Sequence, residues 1–124
     1  MRRFADITHV VLRVGAGLLF FEHGVQKLFG FPGGTPVPLA STFGVAGMME
    51  LVGGVLIVAG FLTRPVAAVL TVQMGAAYVI GHLPQGVWPI LNGGEEALLY
   101  VLVFAFLAGN GAGAVSVDAR RARD

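Results

Sequence analysis

Between Thr8 and Ala108 the sequence reads as four apolar stretches broken by runs dense in glycine and proline. No other feature limits the fold as strongly. A membrane-spanning helix needs about 20 mostly apolar residues. The stretches run over about 8–29, 43–62, 65–83 and 95–108. The run GFPGGTPVPLAST cannot continue a helix between the first and second, nor can PQGVWPILNGG between the third and fourth. Thr63-Arg64-Pro65 is a short turn that places Pro65 at the first helical position of the third stretch. The fourth stretch is short, to be extended by tilt or by Trp88–Leu91 lying at the interface. Four spans take about 80 residues, which fits a chain of 124, whereas five fit poorly. The expected fold class is therefore all-α: an integral membrane four-helix bundle forming one domain over residues 1–124.

Composition excludes the alternatives. Only 12% of the residues are charged and 56% are hydrophobic, whereas a soluble domain carries about 25% charged residues. A soluble enzyme domain and a disordered chain are both ruled out. The absence of cysteine removes disulfides, dithiol redox chemistry, thiolate metal sites and cysteine nucleophiles. A net charge of +1 implies no nucleic-acid surface. Arg13 interrupts the apolar run that would make the first 30 residues a signal peptide, so this segment reads as part of the mature protein.

Orientation follows from Lys and Arg in the short connections. Arg2 and Arg3 precede the first span, Arg64 lies between the second and third, and Arg120, Arg121 and Arg123 follow the fourth. The connections 30–42 and 84–94 contain neither residue. With four spans all six arginines fall on one side, which predicts both termini in the cytoplasm and a multi-pass membrane protein. Phe29, Phe31, Phe43 and Trp88 then mark the outer interface. The tail is expected to fray after Asp118.

Ionisable groups inside spans are costly and mark function or tight pairing. The first span holds Arg13, Glu22, His23, Gln26 and Lys27; the second holds Glu50; the third holds Gln73 and His82; the fourth opens with Glu95 and Glu96. At about 100° per residue, Arg13, Phe20, His23, Gly24 and Lys27 share one face. His23 and Glu50 each lie about 10 Å from the outer ends of their helices, so they are expected to be level, with Lys27 above them. His82, Asn92, Glu95 and Glu96 are expected to close this site from outside. Arg13 lies deeper, with Gln73 and the Asp118 segment as its expected partners. Arg13, Arg64, Gln73 and Asp118 are read as structural or cytoplasmic-side groups. Each has a bland alternative: Glu50 with Lys27 or His23 as a buried pair that fixes register, Arg13 as a carbonyl cap, Lys27 as an interface anchor, and His82 as a helix cap. Gly47, Gly53, Gly54 and the Ala67-Thr71-Gly75 row read as close-packing positions. No HxxxH or ExxH spacing supports a metal site, and no catalytic residue is assigned.

The strings RVGAGLLFFEHGVQKLFG from Arg13, ELVGGVLIVAGFLTRPVA from Glu50, NGGEEALLY from Asn92 and GAGAVSVD from Gly111 together resemble the DoxX family of small bacterial membrane proteins. The resemblance runs in order over nearly the whole chain. It places family motif positions at Arg13, His23, Gly24, Lys27, Glu50, Gly53, Gly54, Gly60, Arg64, Asn92, Glu95 or Glu96, Tyr100, Ser116 and Asp118. It implies a four-helix inner-membrane protein linked to redox assemblies that handle sulfur compounds and oxidative stress, among them the membrane subunit of a thiosulfate:quinone oxidoreductase.

The resulting expectation is a membrane subunit of a redox assembly. It would bind a quinone or similar lipid-soluble molecule through His23, Lys27, Glu50, His82, Asn92, Glu95 and Glu96. At most it is the quinone-reactive part of an oxidoreductase, with a soluble or membrane redox partner supplying the electrons. No haem, flavin, nucleotide or metal is indicated. The expected surroundings are the lipid bilayer, with a homodimer compatible and nucleic acid excluded. Two alternatives stand beside this reading: a structural membrane anchor or assembly protein, and a small-solute or proton pathway.

Overall fold

A computed structural model describes residues 1–124 and is entirely helical. Helix α1 covers Arg2–Phe29, α2 Thr42–Ala59 and α3 Thr63–Ala77. A π-helical turn, Tyr78–His82, and a 3-10 turn, Leu83–Gln85, prolong α3. A single helical turn, α4, spans Pro89–Asn92, followed by α5 over Glu95–Asn110 and α6 over Val117–Arg123. Arg2–Phe29, Thr42–Ala59 and Thr63–Gln85 are long and apolar enough to cross a membrane. Helix α5, at 16 residues, is shorter than these three.

Local chemistry sets the boundaries. Ser41 caps α2 by accepting the Gly44 N–H at 3.0 Å. Gly60 ends α2 in a left-handed conformation, φ 69°, which a residue with a Cβ adopts only under strain. That is why the second stretch stops at Ala59 rather than at Leu62. Helix α3 then begins at Thr63, because Asp118 captures the N–H groups of Leu62 and Thr63 at 2.8 and 2.9 Å. The expected fraying after Asp118 is not found. Ser116 caps α6 by accepting the Ala119 N–H at 3.0 Å, and the helix runs on to Arg123.

Helices α1 and α2 pack antiparallel along a glycine seam. A Cβ at Gly24 would stand 2.6 Å from the Leu51 nitrogen, and one at Gly54 would stand 2.8 Å from the Phe21 Cβ. Only glycine permits that approach, and the close contact is what drives association where lipid supplies no hydrophobic force. Helix α3 packs against α5. Phe20, Ile57, Ala67, Leu70, Met74, Ala97, Tyr100, Phe104 and Leu107 form the buried core where α1, α2, α3 and α5 meet. Val52, Val55, Val69 and Val72 are exposed, as the lipid-facing surfaces of spanning helices should be.

Candidate functional site

The antiparallel packing sorts the buried polar groups into two sets at opposite ends of the helices. At one end, α1 turns Lys27 toward α2. Its Nζ donates to both Glu50 carboxylate oxygens, at 2.6 and 2.7 Å, and the Glu50 side chain is only 4% exposed. One turn earlier on the same face, His23 Nε2 lies 3.0 Å from a Glu96 oxygen at the start of α5. This second pair is far more open: the His23 side chain is 32% exposed and that of Glu96 67%. The edge of the His23 ring addresses Tyr100 with centroids 6.0 Å apart. Tyr100 itself stacks on Phe104 and leans on Phe20. His23 and Glu50 therefore belong to neighbouring pairs with different partners.

Below Glu96 and Tyr100 a groove of about 450 Å³ runs between α1 and α5, walled by Val11, Leu12, Gly15, Ala16, Leu19, Leu99 and Val103. A Cβ added at Gly15 would meet nothing within 4 Å. The groove thus joins an apolar trough to the Glu96 carboxylate and Tyr100 at one end, with the His23 imidazole held behind them by Glu96. Tyr100 counts in the sequence only as a motif position. The signal for its role is its spacing of one turn from Glu96, which puts the two on one face of α5.

Other expected site residues gather elsewhere. Asn92 is buried and ties the turn before α5 together. Its Nδ2 donates to the Gly86 carbonyl at 2.9 Å and to the Tyr78 hydroxyl at 3.1 Å, and its Oδ1 accepts the Gly94 N–H at 2.8 Å. His82 Nδ1 lies 3.2 Å from the Asn92 carbonyl, and its ring stacks on Tyr78. Glu95 is exposed and makes no ion pair. These residues form a loop knot beside the His23–Glu96 pair.

At the opposite end the buried Arg13 guanidinium is a hub for carbonyls. It donates to Ile57 at 3.0 Å and to Val58 at 3.4 Å at the close of α2, and to Ala112 and, at 2.7 Å, Val115 in the segment before α6. A cation at a helix C-terminus meets the negative end of the helix dipole. The expected partnership with the Asp118 segment is found, but the one with Gln73 is not. Gln73 faces α2 instead, its Nε2 3.4 Å from the Ala46 carbonyl. Arg64 donates to the Ala108 and Gly109 carbonyls at the end of α5. His9, not singled out in the sequence, sits here with Nε2 2.9 Å from the Gly111 carbonyl. Burial pushes the Asp118 carboxyl up, but the N–H groups of Thr63 and Leu62 and the charge of Arg121 outweigh it, holding it below the usual carboxylate range.

Exposed aliphatic helices and polar clusters confined to the two ends define a small multi-pass membrane protein. The DoxX family model matches residues 8–83, and the chain belongs to the DoxX family. It is 40% identical to a Haemophilus influenzae protein over 86% of this chain and 85% of that one. It is 31% identical to the inner membrane protein YphA of Escherichia coli, over 90% of this chain and 88% of YphA. It is 29% identical to a Bacillus subtilis protein named "Putative oxidoreductase CatD", over 95% of this chain and 90% of that protein. No solved structure matches the chain.

Proposed function

We propose that the protein is the membrane subunit of a redox assembly, and that it binds a quinone-type molecule in the groove between α1 and α5. In this reading α5 is the fourth crossing of a four-helix bundle whose arginine-rich end faces the cytoplasm. One observation carries the reading: an apolar trough ends at Glu96 and Tyr100, and Glu96 holds His23 at 3.0 Å. The trough suits an isoprenoid tail, and the three polar groups suit a ring bearing two carbonyls. The name of the Bacillus subtilis relative, an oxidoreductase, agrees with this.

A bound quinone would supply two-electron carbonyl–hydroxyl chemistry; electrons would come from a partner protein. The chain's own part is to hold the ring and handle protons. His23, held at the end of the trough by Glu96, would hydrogen-bond a ring oxygen through its imidazole. Glu96, mostly exposed, fixes that imidazole and links it to water, while the Tyr100 hydroxyl donates at the trough wall. The Lys27–Glu50 pair is fully engaged with itself, so it sets the register of α1 on α2 and the electrostatic background of the site. The wholly apolar contacts of Phe20, Ile57 and Phe104 between the two polar ends favour this reading over a solute pathway.

The test is binding of a short-tailed ubiquinone or menaquinone analogue to the full chain in lipid nanodiscs. His23→Ala and Glu96→Gln should each weaken binding about tenfold or more, the loss of one charge-assisted hydrogen bond. Gly15→Leu should fill the trough and weaken binding while leaving thermal stability unchanged. No binding by the wild-type chain, or binding indifferent to all three changes, would sink the proposal.

A further inference from the structure

The segment Leu83–Leu91 belongs neither to the core nor to the groove. Its apolar side chains point away from the protein: Val87, Trp88, Ile90 and Leu91 are each at least 69% exposed. No Asp, Glu, Lys or Arg occurs anywhere between Arg64 and Glu95. The exposed patch is continuous with Val79 and Ile80, also exposed, at the end of the α3 span.

Part of its backbone is tied inward. Gly86 N–H donates to the Leu83 carbonyl at 3.1 Å, and the N–H groups of Leu91 and Asn92 both donate to the Trp88 carbonyl at 2.9 Å. The Asn92 side chain takes up the Gly86 carbonyl and the Gly94 N–H. Pro84 and Pro89 have no N–H to satisfy. The Val87, Trp88 and Ile90 N–H groups have no partner in the protein, which suits a segment at the depth of the lipid carbonyls, where water and headgroups can pair them.

Length supplies the third argument. Helix α5 has 16 residues and so rises about 24 Å, short of a hydrocarbon core of about 30 Å. The α3 segment, Thr63–Gln85, has 23 residues and at about 1.5 Å each overtops the core. The connection must therefore descend through apolar depth before α5 begins.

We propose that Leu83–Leu91 is a lipid-embedded wedge, inserted into the leaflet at the His23 end of the molecule, where it occupies the depth that α5 leaves uncovered. Its partner is bilayer lipid. Trp88 lies at the carbonyl level, where indole rings settle at membrane interfaces, and Ile90 and Leu91 point into the acyl chains.

Trp88 is the only tryptophan of the chain, so intrinsic fluorescence reports on the wedge alone. In the full chain reconstituted in phosphatidylcholine vesicles, its emission should be blue-shifted. It should be quenched most by lipids brominated near the carbonyl end of the acyl chain, and several-fold less by aqueous acrylamide than a free tryptophan analogue. The absence of cysteine permits a second measurement. A water-soluble maleimide should label Ile90→Cys at least tenfold more slowly than Thr35→Cys in the same vesicles. Full acrylamide quenching without quenching by brominated lipid, or equal labelling rates at the two positions, would overturn the proposal and assign the patch to water or to a protein partner.

Discussion

At the scale of single residues, the two side-chain pairs of one helix end have opposite characters. Lys27–Glu50 is enclosed, with both carboxylate oxygens occupied; His23–Glu96 is open and borders the groove. Removing one partner of an enclosed pair leaves an uncompensated buried charge, which costs about 3–5 kcal/mol. Lys27→Met should therefore lower the thermal stability of the detergent-solubilised protein by that order. Adding Glu50→Gln should restore most of it, because both charges are then gone. A single variant as stable as wild type would show that Glu50 is not enclosed. The sequence made the depth of these residues legible, through the rise of a helix from its ends. It left Glu50 between Lys27 and His23 and did not show the His23–Glu96 pair, because that pairing depends on how α5 is rotated about its axis, and that rotation is set by Tyr100 and Phe104 packing on Phe20.

At the scale of elements, the arginine-rich end is closed by a clasp made from four segments. Arg13 of α1 holds the last carbonyls of α2 and those of the strap before α6. Asp118 of α6 caps the start of α3 and donates its own N–H to the Gly60 carbonyl at 2.9 Å. Asp118 is thus a helix cap supplied from 55 residues away in sequence, which no local pattern announces; this is why the tail looked frayed. Its acidity fixes a pH dependence. A carboxyl held below its unfolded pKa contributes stability above that value, about 4, and loses it as the pH falls through the lower folded value. Thermal melts should show Asp118→Asn destabilised by about 1 kcal/mol at neutral pH, the usual worth of a cap. The difference from wild type should begin to shrink near pH 4 and close only below the lower folded value, where the native carboxyl is protonated too. A constant difference down to pH 2 would mean that the cap acts without its charge. The helix ends at Gly30 and Ser41, by contrast, followed from residues visible in the sequence.

At the scale of the whole molecule, the charge distribution and the packing make a joint statement about topology. The antiparallel contacts of α1 with α2, of α2 with α3 and of α3 with α5 alternate the direction of the chain. Arg2 and Arg3 at the head of α1, Arg64 at the head of α3 and Arg120, Arg121 and Arg123 of α6 therefore gather at one end. Three helices cross by length alone; an odd number would send the tail arginines to the side opposite Arg2 and Arg3. The contacts forbid that separation, since His9 of α1 reaches Gly111 and Arg13 reaches Val115. In the proposed four-helix reading, α5 returns the chain across the bilayer despite its 16 residues. Arginines near the ends of spans favour the cytoplasmic side. A fluorescent protein that matures only in the cytoplasm should accordingly light up when fused to either terminus. A phosphatase active only outside should be silent at both termini and active when inserted after Gly33. An active phosphatase at one terminus would show that α5 does not cross, and with it would fall the placement of the His23–Glu96 pair at the outer face.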